Sequence, residues 1–123
     1  MTVIIADSSY ISEGLLKDKS LLDDYEIFSP DFGFYEVLNA VWKHQVLLKQ
    51  VKDSATILAT FFDLISAQRI RFIALEEETI RSAYDLAVKT RTLVYDAIFV
   101  ALARELVVEL KTFDKRQAAL FKA

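Results

Sequence analysis

Four carboxylates stand in apolar stretches of the sequence, where a charge is costly unless a partner compensates it. They are Asp7 in VIIADSSY, Glu36 in FGFYEVLNAVW, Asp96 in LVYDAIFVALA and Asp114 in ELKTFDKR. One His and a scatter of Lys residues do not suffice as buried partners for all four. A divalent cation is the simplest compensation, and hard oxygen ligands select Mg²⁺ or Mn²⁺.

Two hydroxyl residues stand close to these carboxylates in the chain. Ser9 follows Asp7 by two residues, and Thr112 precedes Asp114 by two. In an extended chain this spacing places side chains on the same side. We expect the two hydroxyls to orient carboxylates or metal-bound water.

A polar line accompanies Glu36 on a predicted helix, because Asn39 and Lys43 follow it at steps of three and four residues. We expect Asn39 to support Glu36 or to contact a substrate. Four basic residues near the acid-bearing segments are explained equally well as phosphate contacts and as solvated surface charges: Lys43, Lys111, Lys115 and Arg116.

Each carboxylate also has a purely structural explanation. Asp7 can simply end a strand, and Glu36 can be a solvated helix residue. Asp96 and Asp114 can cap helices through their side-chain oxygens. For any one of these residues, a structural role is the simpler interpretation. A structural role for all four at once is a weaker explanation, because four independent coincidences would be needed.

Composition narrows the kinds of site that can exist. The chain has 123 residues, of which 54% are hydrophobic and 27% charged, which excludes a disordered protein and predicts one domain over 1–123. Without Cys there are no disulfides, thiolate zinc sites or thiol nucleophiles.

The longest uncharged stretch is the nine residues 54–62, too short to span a membrane. The amino terminus shows no secretory signal, so we expect a cytoplasmic protein.

Strands and helices alternate along the sequence. Short β-branched and apolar runs predict strands at 2–6, 25–28, 70–75 and 107–113. Capping residues and helical periodicity predict helices at 8–16, 29–48, 53–67, 76–89, 96–106 and 115–122. Residues 17–24 and 92–95 are predicted to be connections. Ser29, Pro30 and Asp31 are interpreted as the start of the predicted helix 29–48.

This alternation predicts an α/β fold, since strands joined by helices form a parallel sheet with helices on both faces. We expect a three-layer α/β/α arrangement around a mostly parallel sheet of four to five short strands. In such open sheets, ligands bind at the carboxyl ends of the strands. The acidic residues fall at or near ends of strands and starts of helices, so we expect them at that edge.

Four segments together resemble the PIN-domain ribonucleases, and more narrowly the VapC-type toxins of prokaryotic toxin-antitoxin pairs. These segments are Asp7-Ser8-Ser9, YEVLNAVWK around Glu36, Tyr95-Asp96-Ala97 with its apolar helix, and Thr112-Phe113-Asp114. Their order and spacing match over the whole chain. The resemblance implies a single PIN domain acting as a Mg²⁺- or Mn²⁺-dependent endoribonuclease on RNA. It also implies a homodimer that a small antitoxin protein silences.

The resemblance also implies roles for individual residues. An acidic quartet that binds metal and carries catalysis would consist of Asp7, Glu36, Asp96 and Asp114. Hydroxyl auxiliaries would be Ser9 and Thr112, with Asn39 as a helper. The chain departs from the family pattern in ELVVELKT, which lacks the glycine often found after the preceding helix, so the geometry of that turn is open.

The net charge is compatible with an RNA substrate. A formal charge of −3 at pH 7 argues mildly against attraction of nucleic acid by bulk charge. Leaving out the quartet, 14 of the 18 acidic residues remain against 15 basic ones. Once metal compensates the quartet, approach of RNA is plausible.

Two other functional classes stay open. A catalytically silent PIN-like binding module would keep the fold and use the acids only for structure. A phosphotransfer-type α/β acid-pocket domain of the haloacid dehalogenase kind would need a second Asp where this chain has Ser9. A receiver domain would need an acidic pair directly after the first strand, whereas Asp23 and Asp24 lie in a predicted connection.

Overall fold

Four parallel strands form one sheet in the computed structural model, which describes residues 1–123. The strands are β1 (Thr2–Ala6), β2 (Tyr25–Pro30), β3 (Ile70–Ile73) and β4 (Glu109–Lys111). Their order across the sheet is β3-β2-β1-β4, and every neighbouring pair is parallel. The predicted α/β class is confirmed, with four strands.

Seven helices cover the sheet. They are α1 (Ser8–Leu16), α2 (Ser20–Asp23), α3 (Gly33–Val46), α4 (Ala55–Ser66), α5 (Glu77–Thr90), α6 (Val94–Leu106) and α7 (Lys115–Lys122). Successive side chains of a strand point to opposite faces, and in β1 both faces are buried. Ile4 packs in a cluster with residues of α1, α3 and α4, whereas Ile5 packs in one with residues of α6 and α7. The helices therefore form two layers, as the three-layer prediction requires.

The apolar helix α6 is buried along most of its length, as its sequence predicts. Every residue from Ala97 to Ala103 is buried, and α6 packs against α5, α7, β1, β2 and β4. Its hydrophobic character is thus explained by its place in the core. None of the helices has both the length and the apolar character needed to cross a membrane.

The start of the third helix was predicted too early. Ser29 and Pro30 lie in β2 and pair with Phe72 and Ile73 of β3, and α3 begins only at Gly33. The Ser29 hydroxyl donates to the carbonyl of Ala6 at 2.9 Å, which ties β2 to the end of β1. Gly33 is needed there, because a Cβ atom would lie 2.6 Å from the Ser29 hydroxyl oxygen. Pairing between distant strands, which the local sequence does not encode, overrides the helix-start signal.

Other boundaries also differ from the prediction. The segment expected to be a connection contains the short helix α2. Helix α3 ends at Val46, so Leu48 lies beyond it and is 47% exposed instead of facing the core. Helix α6 begins at Val94, which places Asp96 inside its first turn.

The turn after α6 is made without glycine. Val107 ends this helix with a left-handed backbone, at φ 56° and ψ 50°. This conformation is costly for a β-branched residue. The Val107 side chain is 87% exposed, and Val108 follows it before β4 begins at Glu109. The last strand is therefore shorter than the predicted 107–113.

Candidate active site

Three strands deliver acidic residues to the carboxyl edge of the sheet. Asp7 directly follows β1, Asp114 lies three residues beyond the end of β4, and Glu36 stands in the first turn of α3 after β2. The fourth acid, Asp96, stands in the first turn of α6, which packs against β1 and β2. Because parallel strands end at the same side of a sheet, acids far apart in sequence meet there.

Asp7 is the most firmly held of the four carboxylates. It is only 5% exposed. Its Oδ1 atom accepts a hydrogen bond from the Ser9 hydroxyl at 2.6 Å and one from the Tyr10 amide at 3.0 Å. Its Oδ2 atom accepts a short hydrogen bond from the Thr112 hydroxyl. Three donors therefore fix the orientation of this carboxylate.

The hydroxyls of Ser9 and Thr112 link the first and last strands. Each has one proton, and each donates it to Asp7, so their 3.4 Å separation is a close contact and not a second hydrogen bond. Both oxygens also accept: Ser9 from the Phe113 amide at 3.0 Å, and Thr112 from the Asp114 amide at 2.9 Å. The predicted orienting contacts of these hydroxyls on a carboxylate are present.

Asp114 and Asp96 are joined through α7. Asp114 caps this helix, accepting hydrogen bonds from the amides of Arg116 at 2.9 Å and Gln117 at 3.3 Å. The side chain of Gln117, which is buried, donates to the main-chain carbonyl of Asp96 at 3.3 Å. A Gln three residues after the capping residue often accepts a hydrogen bond from the amide of that residue. Here the Asp114 amide donates to the Thr112 hydroxyl oxygen instead. Gln117 is therefore free to bridge to α6.

Glu36 lies on the other flank, in a cavity of about 420 Å³ whose lining includes Ser8, Asn39 and Lys43. No hydrogen bond joins Asn39 to Glu36, so the expected support of this carboxylate is not formed; both residues instead face the same cavity. Lys43 lines it too and has no carboxylate within ion-pair distance.

The carboxylates are close enough to influence one another. Burial raises the pKa of Asp7, and the charge of Asp114 adds to that rise, which the hydrogen bonds offset only in part. Burial also raises the pKa of Glu36, and the charges of Asp7 and Asp96 raise it further. The pKa of Asp96 is raised by burial and by the charge of Asp114, against a smaller opposing effect of Arg116. All four acids thus share one negative environment.

The donor set fits a hard divalent cation in its chemistry. It consists of carboxylate oxygens, which Mg²⁺ and Mn²⁺ prefer, and none of the four acids forms an ion pair with Lys or Arg. As the side chains stand, however, no three acidic or His side chains are grouped closely enough to hold an ion. The four carboxylates favour a cation electrostatically, but their side chains would have to change rotamer before three of them could coordinate the same ion.

The structural explanation applies to two of the acids. Asp7 caps α1 and Asp114 caps α7. Asp96 does not cap α6, since the helix begins at Val94 with Leu93 at the capping position. Capping accounts for one hydrogen bond of Asp7 and two of Asp114. It accounts neither for the two hydroxyl donors on Asp7 nor for the raised pKa of that residue.

The remaining basic candidates differ in their surroundings. Lys111 forms an ion pair with Glu109 at 3.2 Å and lies over the ring of Tyr25, 5.7 Å from its centroid. Lys115 and Arg116 are exposed on α7, and Arg116 is near enough to lower the pKa of Asp96. Lys111 is therefore neutralised, whereas the other two remain unpaired.

Sequence reasoning missed Gln117 and Phe113. The buried Gln117 was detectable in principle, since it stands three residues after the capping Asp114, the spacing of a capping box. Phe113 stands between Thr112 and Asp114, and only the fold shows that its ring stacks on Tyr10.

Comparison with known proteins gives consistent results. The family model for the PIN domain matches residues 4–122. The chain is similar to Ribonuclease VapC3 of Pyrobaculum aerophilum, with 31% identity over 108 residues that cover 86% of this chain and 79% of the relative. It is also similar in structure to PAE2754 from Pyrobaculum aerophilum, with a TM-score of 0.75, 21% identity, and coverage of 98% of this chain and 86% of that one. The second likeness concerns the fold alone.

Proposed function

The chain belongs to the PIN domain family, and on that premise we propose that it is a metal-dependent endoribonuclease, the toxin of a toxin-antitoxin pair. The observation that carries this proposal is the convergence of four carboxylates from four elements on one sheet edge, where neighbouring carboxylates contribute to the raised pKa values of Asp7, Glu36 and Asp96. None of the four has an ion-pair partner. The similarity to a protein named Ribonuclease VapC3 supports RNA as the substrate.

Metal would be held by Asp7, Glu36, Asp96 and Asp114. When bound, Mg²⁺ or Mn²⁺ supplies a water of lowered pKa and a positive charge opposite the reacting phosphate. The raised pKa values of Asp7, Glu36 and Asp96 favour this role, because a nearby cation stabilises the ionised forms that burial and the neighbouring carboxylates disfavour.

The chain's own residues then position the reaction. Ser9 and Thr112 hold Asp7 in one orientation by donating to both of its oxygens. Gln117 fixes α7 to the start of α6, so that Asp114 and Asp96 keep their mutual placement. Lys43, unpaired in the cavity beside Glu36, is placed to contact a phosphate of the RNA strand.

The proposed partners are a small antitoxin protein and a second copy of this chain, in the cytoplasm. An exposed apolar surface supports the existence of a protein partner, because contact with water disfavours apolar surface and a bound protein would bury it. Its members on α3 and just beyond include Tyr35, Trp42, Val46, Leu47 and Leu48. We propose that residues 1–123 act as a single domain.

RNA cleavage in the presence and absence of metal tests the function. We expect the purified protein to cleave single-stranded RNA with Mg²⁺ or Mn²⁺, and EDTA to abolish cleavage. Asp96→Asn should lower the rate on the order of 100-fold or more while the protein stays folded. Asp85→Asn is the matched control, since it removes an exposed carboxylate on α5 and should leave the rate unchanged.

Two outcomes would contradict the proposal. If the wild type and Asp96→Asn show the same trace of cleavage, a contaminating nuclease explains it. If no RNA is cleaved under any condition and metal does not shift the thermal midpoint, the silent binding module, in which the acids serve only structure, becomes the better assignment.

A further inference from the structure

Phe113 presents an aromatic ring at the edge of the candidate active site. The ring stacks on Tyr10, with centroids 5.5 Å apart and planes inclined by 16°, yet Phe113 is 55% exposed. One face of the ring is therefore covered and the other is open to solvent. The Phe113 ring thus differs from an exposed ring on a mobile loop, because the Tyr10 ring packs against its covered face.

The support under Phe113 is rigid. Tyr10 is buried, and its hydroxyl donates to the carbonyl of Leu21 at 2.7 Å, which fixes the plane of the lower ring. The amide of Phe113 donates to the Ser9 hydroxyl at 3.0 Å. Backbone and ring of Phe113 are thus both held, so little conformational entropy remains to be lost when a ligand contacts the ring.

A cavity of about 530 Å³ opens beside this ring. Its lining combines the rings of Tyr10, Tyr25 and Phe113 with the lysines Lys111 and Lys122 and the carboxylates Asp24 and Glu109. The volume lies in the range of small-molecule sites. Aromatic faces next to cationic side chains are the combination that binds single-stranded nucleic acid, whose bases stack and whose phosphates are negative.

Thr112 connects the cavity to the acidic quartet, although none of the four acids lines the cavity itself. This residue lines the cavity and donates its hydroxyl proton to Asp7, and Phe113 precedes Asp114 by one residue. A nucleotide in the cavity would therefore lie next to the one whose phosphate faces the carboxylates.

We propose that Phe113 is a base-stacking platform, and that the cavity beside it holds the nucleotide adjacent to the scissile phosphate of a single-stranded RNA. The inference rests on the proposed function and adds a specific subsite to it. Lys122 is the cation available to a phosphate there, because it has no ion-pair partner, whereas Lys111 is paired with Glu109. Stacking tolerates any base, so the subsite selects for an unpaired base more than for its identity.

Abasic substitution in the RNA tests the platform. The probe is a short fluorescent oligoribonucleotide that the protein cleaves, prepared with one base removed at each position around the cleavage site in turn. We expect one position next to the scissile bond at which removal of the base lowers kcat/KM about tenfold. Phe113→Ala should cause a loss of the same size, and the two changes together should cost no more than either alone.

Substitutions at position 113 separate stacking from folding. Phe113→Trp should keep activity, while Phe113→Leu keeps an apolar contact with Tyr10 and should nevertheless lose the dependence on that base. The matched control is Tyr84→Ala on α5, since Tyr84 is 58% exposed and lies outside the cavity. The proposal is overturned if Phe113→Leu cleaves like the wild type, or if the abasic effects persist unchanged in it.

A binding measurement keeps this test independent of catalysis. In the Asp96→Asn background, anisotropy of the intact and abasic oligonucleotides should show the same tenfold difference at one position, abolished by Phe113→Ala. Absence of cleavage by the wild type would refute the proposed function. Equal binding of intact and abasic RNA would refute the platform alone.

Discussion

Two polar regions of the surface differ in how their charges are balanced. The acidic quartet brings together four carboxylates without an ion-pair partner. The α5–α6 cavity, of about 550 Å³, mixes the acids Glu78, Asp85 and Glu105 with the cations Lys89 and Arg104. In both regions a threonine donates a short hydrogen bond to a carboxylate: Thr112 to Asp7, and Thr79 to Glu105.

The contrast shows that a polar depression with hydrogen-bonded carboxylates is not by itself a sign of chemistry. In the α5–α6 cavity, the Arg104 guanidinium donates hydrogen bonds to main-chain carbonyls at the end of α7, including those of Leu120 and Ala123. This cation therefore has a structural role, since it holds the carboxyl-terminal helix against α6. In the quartet, Arg116 opposes the negative charge at Asp96, and its effect on the pKa of Asp96 is smaller than those of burial and Asp114. What distinguishes the candidate active site is that buried and half-buried carboxylates from separate elements lie together and raise the pKa values of Asp7, Glu36 and Asp96.

The sharpest difference between the two regions should appear on adding metal. Mg²⁺ or Mn²⁺ at a hundred times its Kd should stabilise the protein by about 3 kcal/mol, because the ion binds only the folded state. Asp7→Asn should abolish this stabilisation, whereas Glu105→Gln in the α5–α6 cavity should preserve it. Thermal unfolding of each protein with metal and with EDTA measures the effect. Equal shifts in both variants would mean that the metal binds elsewhere.

The two threonines offer a matched pair of variants. Thr112→Val keeps the side-chain shape but removes the donor to Asp7 and the acceptor for the Asp114 amide, so we expect about a tenfold loss of RNA cleavage and about 1 kcal/mol of stability. Thr79→Val should cost a similar stability and leave cleavage unchanged. Thr112→Ser should restore most of the activity. If both valine variants lose activity in proportion to stability, Thr112 acts only through folding.

The smallest expected effect concerns the metal-free protein and its pH dependence. The raised pKa of Asp7 means that the folded state holds this proton more tightly than the unfolded state, so stability falls as pH rises from the ordinary value of 3.8 through the folded-state pKa. Asp7→Asn removes that penalty and should stabilise the protein at pH 7 by about 1 kcal/mol, the scale of single stabilising substitutions.

The advantage of Asp7→Asn should vanish below pH 3.8, where Asp7 is protonated in both states. Chemical denaturation in EDTA at pH 7 and at pH 3.5 measures it, with Asp85→Asn in the α5–α6 cavity as the control. A variant that is less stable than the wild type at both pH values would show that the hydrogen bonds of Asp7 outweigh its burial.

Local signals predicted the elements that depend least on distant partners. The bounds of β1, α1 and α7 agree with the sequence interpretation, because a β-branched run defines β1 and the capping Asp114 defines α7 locally. For α1 the sequence points to Ser8 or Ser9 as the cap, whereas Asp7 is the residue that caps it. The gathering of the four acids at one edge follows from parallel topology, which the alternation of elements predicts. Their catalytic role stays a prediction.

Features set by contacts across the fold were not visible in the sequence. The extension of β2 through Pro30 depends on pairing with β3, whose residues lie some forty positions later. Val107 adopts a backbone that its residue type opposes, and only the position of β4 after α6 explains it. The bridge from Gln117 to α6 depends on Thr112 occupying the Asp114 amide, a relation between three elements.

The shortness of β4 has a consequence for how the protein fails on heating. This three-residue strand lies at the sheet edge and pairs only with β1, and with α7 it carries Thr112 and Asp114. Edge strands and terminal helices open at lower free energy than central elements. Fraying of this carboxyl-terminal unit would strip Asp7 of one clamp and remove one acid while β1, α3 and α6 remain in place. We therefore expect the quartet to come apart below the temperature of global melting, because opening of residues 109–123 alone separates Asp114 from the other three acids.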